Sequence, residues 1–215
     1  MLTIRKFTFN PVAENTYILY NEAKEAIIID PGCYFNEEKQ KVKDFIESNG
    51  LHLVQLLNTH AHLDHVFGNK WMYENYGLEL FLHPNEEQVL QFAPQSAQMW
   101  GMSFENYEGP LHFLENKDVI KLGEDEIEVL LAPGHSPGSI CFYCEKQKFI
   151  IGGDVLFRES IGRTDLPGGN HAALIESIQN QLFGLPDDVT VYPGHGETTT
   201  IGFEKKHNPF LKAQR

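Results

Sequence analysis

The chain has 215 residues, enough for one sizeable core, and its 41% hydrophobic and 22% charged content excludes a disordered chain. A net charge of −13 repels phosphate backbones, so no nucleic-acid partner is expected. No apolar run approaches the roughly 20 residues that span a bilayer, and the start MLTIRKFTFN lacks both a long apolar stretch and a small-residue cleavage site, so no membrane association is expected and a cytoplasmic location follows by default.

Taken in chain order, Glu14–Tyr20 (ENTYILY) and residues 25–32 (EAIIIDPG) read as successive strands. Residues 37–49 have helical spacing, with Val42, Phe45 and Ile46 on one face and Gly50 as the stop. A strand over 53–59 comes next, then a helix over 64–77. Residues 84–109 are more polar and read as helix and loop. Strands are expected over 126–133, 139–145 and 148–154, then an amphipathic helix over 171–185 with Asn170 as N-cap, then a strand over 189–194. Strands followed by helices, twice over, point to a layered α/β protein. No repeat, low-complexity stretch or linker divides the chain, so residues 1–215 are read as one domain.

The three cysteines, Cys33, Cys141 and Cys144, are too few and odd in number for a disulfide framework. Cys141 and Cys144 form a CxxC, but they fall in the strand SICFYCE, where residues three apart point to opposite faces. They read as two ordinary strand cysteines.

The densest chemistry is in Thr59-His60-Ala61-His62-Leu63-Asp64-His65, directly after an apolar strand. His60 and His62 point to the same side of an extended chain and can reach one metal. Asp64 and His65, where the chain turns into helix, are placed to serve a second. His135 (APGHSPG), Asp154 (IIGGD) and His195 (YPGHG) also sit just past the ends of apolar strands, flanked by glycines that let the backbone turn sharply. Five imidazoles and two carboxylates, with no cysteine among them, suit zinc, iron or manganese. Seven donors exceed one closed four-coordinate site and fit two divalent ions sharing a carboxylate, with room left for water. A non-catalytic metal-binding module would need a closed site of four donors instead.

The string THAHLDH, followed by PGHSPGS around His135, GGD at Asp154 and PGHG around His195, resembles the signature of the metallo-β-lactamase fold superfamily. The resemblance runs from Leu2 to Leu211 and includes IIIDPG, which holds Asp30. It implies an α+β fold, a four-layer αββα sandwich. It also implies His60, His62 and His135 on one metal, Asp64, His65 and His195 on the other, Asp154 as the bridge, and Asp30 as a support that orients a ligand. Within the superfamily, GDVLFRESIGRTDLPGG (153–169) and the tail GHGETTTIGFEKKHNPFL (194–211) resemble the short bacterial relatives of glyoxalase II, the hydroxyacylglutathione hydrolases. The expected reaction is thioester hydrolysis, of a small acyl thioester such as S-lactoylglutathione, by a hydroxide bridging two metals, with Asp64 and Asp154 orienting it. The chain departs from full-length glyoxalase II by stopping just after Asn208-Pro209-Phe210, where those enzymes continue into a helical segment that helps bind glutathione, so the thiol of the substrate is left open.

Arg163, in the loop IGRTD, is the candidate for pairing a substrate carboxylate, or else it pairs with Asp165. Tyr143 is a weaker substrate candidate, with Tyr107, His171, Lys205 and Lys206 behind it. His52, His83, His112 and His207 are read as non-ligands. The competing functions are a mononuclear iron persulfide dioxygenase, whose family resembles this sequence even at GRTD, a lactonase or other hydrolase of the fold, a true β-lactamase, and a nuclease, which the acidic charge disfavours.

Overall fold

The computed structural model describes residues 1–211. By internal contacts the described residues form two compact units, 1–114 with 121–125, and 115–120 with 126–211.

The first unit holds a six-stranded sheet in the order β1 (Thr3–Phe9), β2 (Glu14–Tyr20), β3 (Glu25–Ile29), β4 (His52–Leu57), β5 (Leu80–Leu82) and β6 (Leu111–Phe113). Strands β1 to β3 are antiparallel, and β3 to β6 are parallel. Because β3 and β4 run the same way, the loops leaving their C-terminal ends emerge at one edge of the sheet. The helices are α1 (Asn36–Asn49), α2 (Leu63–Val66), α3 (Asn69–Tyr76) and α4 (Glu87–Met99). α1 starts where the Glu38 carboxylate accepts the Tyr34 and Phe35 N–H groups at 2.8 and 3.0 Å. It ends at Gly50, whose φ of 62° is the left-handed cap expected there. Val42 and Ile46 of α1 and Ile18, Ile28, Leu56 and Leu80 of the sheet share one apolar cluster.

The helix expected over 64–77 is two helices. The Gly68 N–H donates to the Pro31 carbonyl at 2.7 Å, outside any helix, and the chain restarts as α3. The 3.6-residue period continues across the break, so the pattern alone does not reveal it.

The second sheet, most of it in the second unit, has the order β14 (Thr199–Thr200), β13 (Thr190–Pro193), β10 (Phe149–Gly153), β9 (Ile140–Cys144), β8 (Asp125–Leu131) and β7 (Val119–Leu122). β9 is antiparallel to both β8 and β10, and β13 is parallel to β10. The ends of β8, β10 and β13 therefore lie at the same edge. A separate hairpin, β11 (Leu156–Phe157) and β12 (Ser160–Ile161), comes after β10. The helices are α5 (His171–Ser177), capped by Asn170 Oδ1 accepting the Ala173 N–H at 3.1 Å, and α6 (Ile201–His207). The helix expected over 171–185 widens into a π-helical turn at Ile178–Leu182. Its apolar positions Leu174, Ile175, Ile178 and Leu182 all enter the unit's core cluster, as the period requires.

Cys141 and Cys144 are buried free thiols on β9, as is Cys33 in the first unit. Cys141 shares the core cluster with Tyr143, two residues on, as strand alternation dictates. The two large sheets with their helices make the chain α+β, the class the sequence points to. Among the described residues no helix is long and apolar enough to cross a membrane.

Candidate metal centre

The first unit contributes the donors that come after β4. His60 and His62 leave the strand two residues apart, with ring centroids at 4.8 Å, and the His60 and His65 rings lie at 4.1 Å. His62 is the N-cap of α2, so Asp64 and His65 fall in its first turn. His65 Nε2 and Asp64 Oδ2 are 3.6 Å apart.

Behind them Asp30, at the end of β3, organises the cluster. Its Oδ1 accepts the Thr59 N–H at 2.7 Å and Asn58 Nδ2 at 3.2 Å. Its Oδ2 accepts the Thr59 hydroxyl at 2.6 Å and faces His65 Nδ1 at 3.1 Å. With the Thr59 hydroxyl hydrogen given to Asp30, the Thr59 oxygen accepts from His60 Nδ1 at 3.0 Å, which puts the His60 lone pair on Nε2. The same logic places the His65 lone pair on Nε2. Both rings thus turn their lone pair onto Nε2, the nitrogen that could bind a metal.

The second unit contributes three donors from the shared edge of β8, β10 and β13. His135 comes after β8, Asp154 after β10 and His195 after β13, with the Gly194 N–H bound to the Gly153 carbonyl at 2.8 Å. His135 Nδ1 faces the Arg163 carbonyl at 2.8 Å, so its N–H is on Nδ1 and its lone pair on Nε2. Asp154 Oδ2 lies 3.5 Å from His135 Nε2 and 3.6 Å from His195 Nε2. These separations exceed the usual hydrogen-bond range. They match two donors on one tetrahedral zinc, whose bonds of about 2.0–2.2 Å place neighbouring ligand atoms roughly 3.3–3.6 Å apart. The Asp64 to His65 distance fits the same edge. His135 and Asp154 are buried and His195 is partly open. The arrangement depends on Gly134. Its φ of 137° is reserved for glycine, and a Cβ there would overlap the Leu174 backbone of α5.

Within each unit the structure therefore brings together the donors that the sequence singles out. The candidate substrate contacts fare differently. The Arg163 side chain is exposed and makes two 2.7 Å bonds to Asp165. These bonds hold the Asp165 carboxyl down at about 2, against an ordinary 3.8. Tyr143 lies inside the second unit's core cluster, where burial pushes its phenol pKa up, and packing accounts for it. Tyr107 is a core pin, with its hydroxyl between the Leu80 N–H at 3.0 Å and the Pro110 carbonyl at 2.5 Å. Lys205, within α6, bonds Asp187 at 2.7 Å. His83 caps the turn Pro84–Glu86 by accepting the Asn85 N–H at 3.2 Å, and His112 bonds Glu79 at 2.5 Å.

Two buried carboxyl groups beside the first unit's donors escape the sequence reading. Glu86 is fully buried and accepts the Ala61 N–H at 2.8 Å, between the first two histidines. Glu14 is fully buried behind His65, bonded by the Thr16 hydroxyl at 2.9 Å, and burial pushes its pKa well above the ordinary carboxyl range. The one available signal for Glu14 is a charge opening a strand whose next five residues are all buried.

The Metallo-beta-lactamase superfamily profile matches residues 9–195. The chain is 37% identical over 203 residues to hydroxyacylglutathione hydrolase GloC of Haemophilus influenzae, covering 94% of each protein. Among solved structures, it is similar to the BLEG-1 B3 metallo-beta-lactamase, with TM-score 0.89, 36% identity and coverage of 98% of this chain and 100% of that one. It is also similar to TTHA1623 in a di-iron-bound form, with TM-score 0.87, 36% identity and coverage of 96% and 100%.

Proposed function

This chain belongs to the metallo-β-lactamase superfamily, and from that premise we propose a two-metal hydrolase that cleaves small acyl thioesters in the manner of the hydroxyacylglutathione hydrolases. His60, His62 and His135 would hold one divalent ion and Asp64, His65 and His195 the other, with Asp154 available to both. In this reading residues 1–215 work as one catalytic domain. The observation that carries it is Asp154 Oδ2, which faces two imidazole nitrogens at 3.5 and 3.6 Å, the spacing of a shared ligand. Zinc suits these donors. The similar structure in a di-iron-bound form supports iron as an alternative occupant of such a centre.

Two divalent ions in such a site supply Lewis acidity to a carbonyl oxygen and make hydroxide available near neutral pH. The protein's own part is orientation. Thr59 fixes the His60 tautomer, Asp30 that of His65 and the Arg163 carbonyl that of His135, so each Nε2 is aimed before substrate arrives. Asp64 and Asp154 orient the attacking oxygen. Addition to the thioester carbonyl and then loss of the thiol breaks the C–S bond and yields a carboxylic acid. Arg163, whose guanidinium is exposed, exchanges Asp165 for a carboxylate of the substrate.

A β-lactam amide is the second reading, favoured by the 36% identity to a structure titled a B3 metallo-beta-lactamase. The test is hydrolysis of S-lactoylglutathione by zinc-loaded protein beside its His62→Ala variant, with nitrocefin assayed in parallel. Thioester turnover that vanishes in the variant supports the proposal. Nitrocefin turnover without thioester turnover overturns it in favour of the second reading.

A further inference from the structure

The Glu204-x-x-x-Asn208 pair, in α6 and at its C-cap, has no part in metal binding, yet both side chains are fully buried and polar. One helical turn apart, they face the same way and meet, with Asn208 Nδ2 donating to Glu204 Oε2 at 2.8 Å. Glu204 Oε1 accepts the Thr199 hydroxyl at 2.5 Å, and Oε2 also accepts the Glu159 N–H at 3.0 Å. Asn208 Nδ2 donates in addition to the Ser160 carbonyl at 3.0 Å. Arg158 and Glu159 form the tip of the β11–β12 hairpin and Ser160 opens β12; Glu159 holds a left-handed φ of 54° that a side chain adopts reluctantly. The Arg158 guanidinium, from the same tip, lies over the Phe203 ring of α6 at 5.2 Å. The hairpin tip is thus gripped from one side by α6.

The hairpin's other end touches the donors. It leaves Asp154 through Val155 and returns to Gly162, whose N–H bonds the Val155 carbonyl at 3.3 Å. A Cβ on Gly162 would overlap the Asp154 carbonyl oxygen, so the returning strand sits directly on the Asp154 backbone. The next residue supplies the carbonyl that fixes His135 Nδ1. A chain of contacts therefore runs from Glu204 and Asn208 through the hairpin to the orientation of His135 and Asp154.

We propose that Glu204 and Asn208 are positioning residues that clamp the β11–β12 hairpin so that Gly162 and the Arg163 carbonyl hold Asp154 and His135 in ligand geometry. This rests on the metal-ligand reading of His135 and Asp154. The clamp works by its hydrogen-bond pattern, since all three donors to Glu204 are neutral groups. Glutamine preserves that pattern. Its oxygen accepts from Glu159 and Asn208, and its amide donates to Thr199, whose hydroxyl can also accept.

The test measures zinc affinity by chelator competition and the ¹⁵N shifts of the His135 ring in metal-free protein. It uses wild type, Glu204→Ala, Glu204→Gln and Asn208→Ala. The clamp predicts that Glu204→Ala and Asn208→Ala weaken zinc about tenfold and move the His135 ring from its Nδ1–H form to a mixture, and that Glu204→Gln stays within about twofold of wild type in both readouts. A folded Glu204→Ala, or Asn208→Ala if the former does not fold, with wild-type zinc affinity and His135 shifts overturns the proposal even if its melting temperature falls. Equal damage from Glu204→Gln also overturns it. Wild-type protein that binds no zinc sinks the ligand reading, and the His135 shifts of the metal-free variants then decide the clamp alone.

Discussion

His65 Nδ1 lies 3.1 Å from Asp30 Oδ2, and neither side chain reaches solvent. The same carboxylate oxygen accepts the Thr59 hydroxyl that sets the His60 tautomer, so Asp30 orients two proposed ligands at once. Its φ of 48° is a conformation that asparagine also tolerates. Asp30→Asn therefore keeps the backbone while removing a carboxylate oxygen. Zinc affinity in that variant is expected to fall roughly ten- to a hundredfold. Wild-type affinity by chelator competition would remove Asp30 from the account.

Gly134 carries His135 into place with a φ open only to glycine and with the α5 backbone against its Cα. Gly134→Ala should lower unfolding stability by about 3 kcal/mol or more, since strain and steric overlap add. Urea denaturation of the metal-free protein measures this. A loss below about 1 kcal/mol would show that the loop has another conformation open to it.

All three thiols are buried, and burial pushes the Cys33 thiol up to about 12. Its reactive thiolate forms only as pH approaches that value, so labelling of the native protein stays slow through pH 9. A thiol-exchange reagent at pH 8 should count no fast-reacting cysteine in folded protein and three in denaturant. A fast thiol in folded protein would contradict the burial of the β9 pair or of Cys33.

Arg163→Ala should raise KM about tenfold for a thioester bearing a carboxylate while leaving kcat nearly unchanged, as loss of uniform binding does. The Arg163–Asp165 pair keeps Asp165 ionised, with its pKa lowered to about 2 from 3.8. A depressed carboxyl contributes its stability above the unfolded value, and that contribution is lost as pH falls through about 2. The KM effect should accordingly be flat between pH 5 and pH 9, approximately, in steady-state kinetics. An Arg163 effect on kcat alone would assign the side chain to the loop rather than to substrate.

The donors are readable because metal chemistry leaves a dense local mark. Three imidazoles and a carboxylate within six residues, just past a strand, have few other uses, and glycines flank the three candidate donors beyond β8, β10 and β13. The groups that orient them leave no such mark. Glu86 sits in a polar run, yet folding carries it beneath Ala61, a juxtaposition of residues 25 apart that no local period encodes. The break at Gly68 is hidden because an apolar period continues across it, and the short strands β5, β6, β11, β12 and β14 have too few residues for alternation to register. Tyr143 looks available in the sequence because it is polar and near the cysteines, but strand alternation turns it into the same core as Cys141.

The measurement that tests the account most directly is the metal content of the zinc-reconstituted protein by plasma mass spectrometry, beside Asp154→Ala. A shared Asp154 predicts two zinc ions per chain in the wild type and fewer than two in the variant. One tightly held ion per chain in the wild type, unchanged on loss of Asp154, would contradict the two-metal centre and favour a mononuclear enzyme such as the iron dioxygenase.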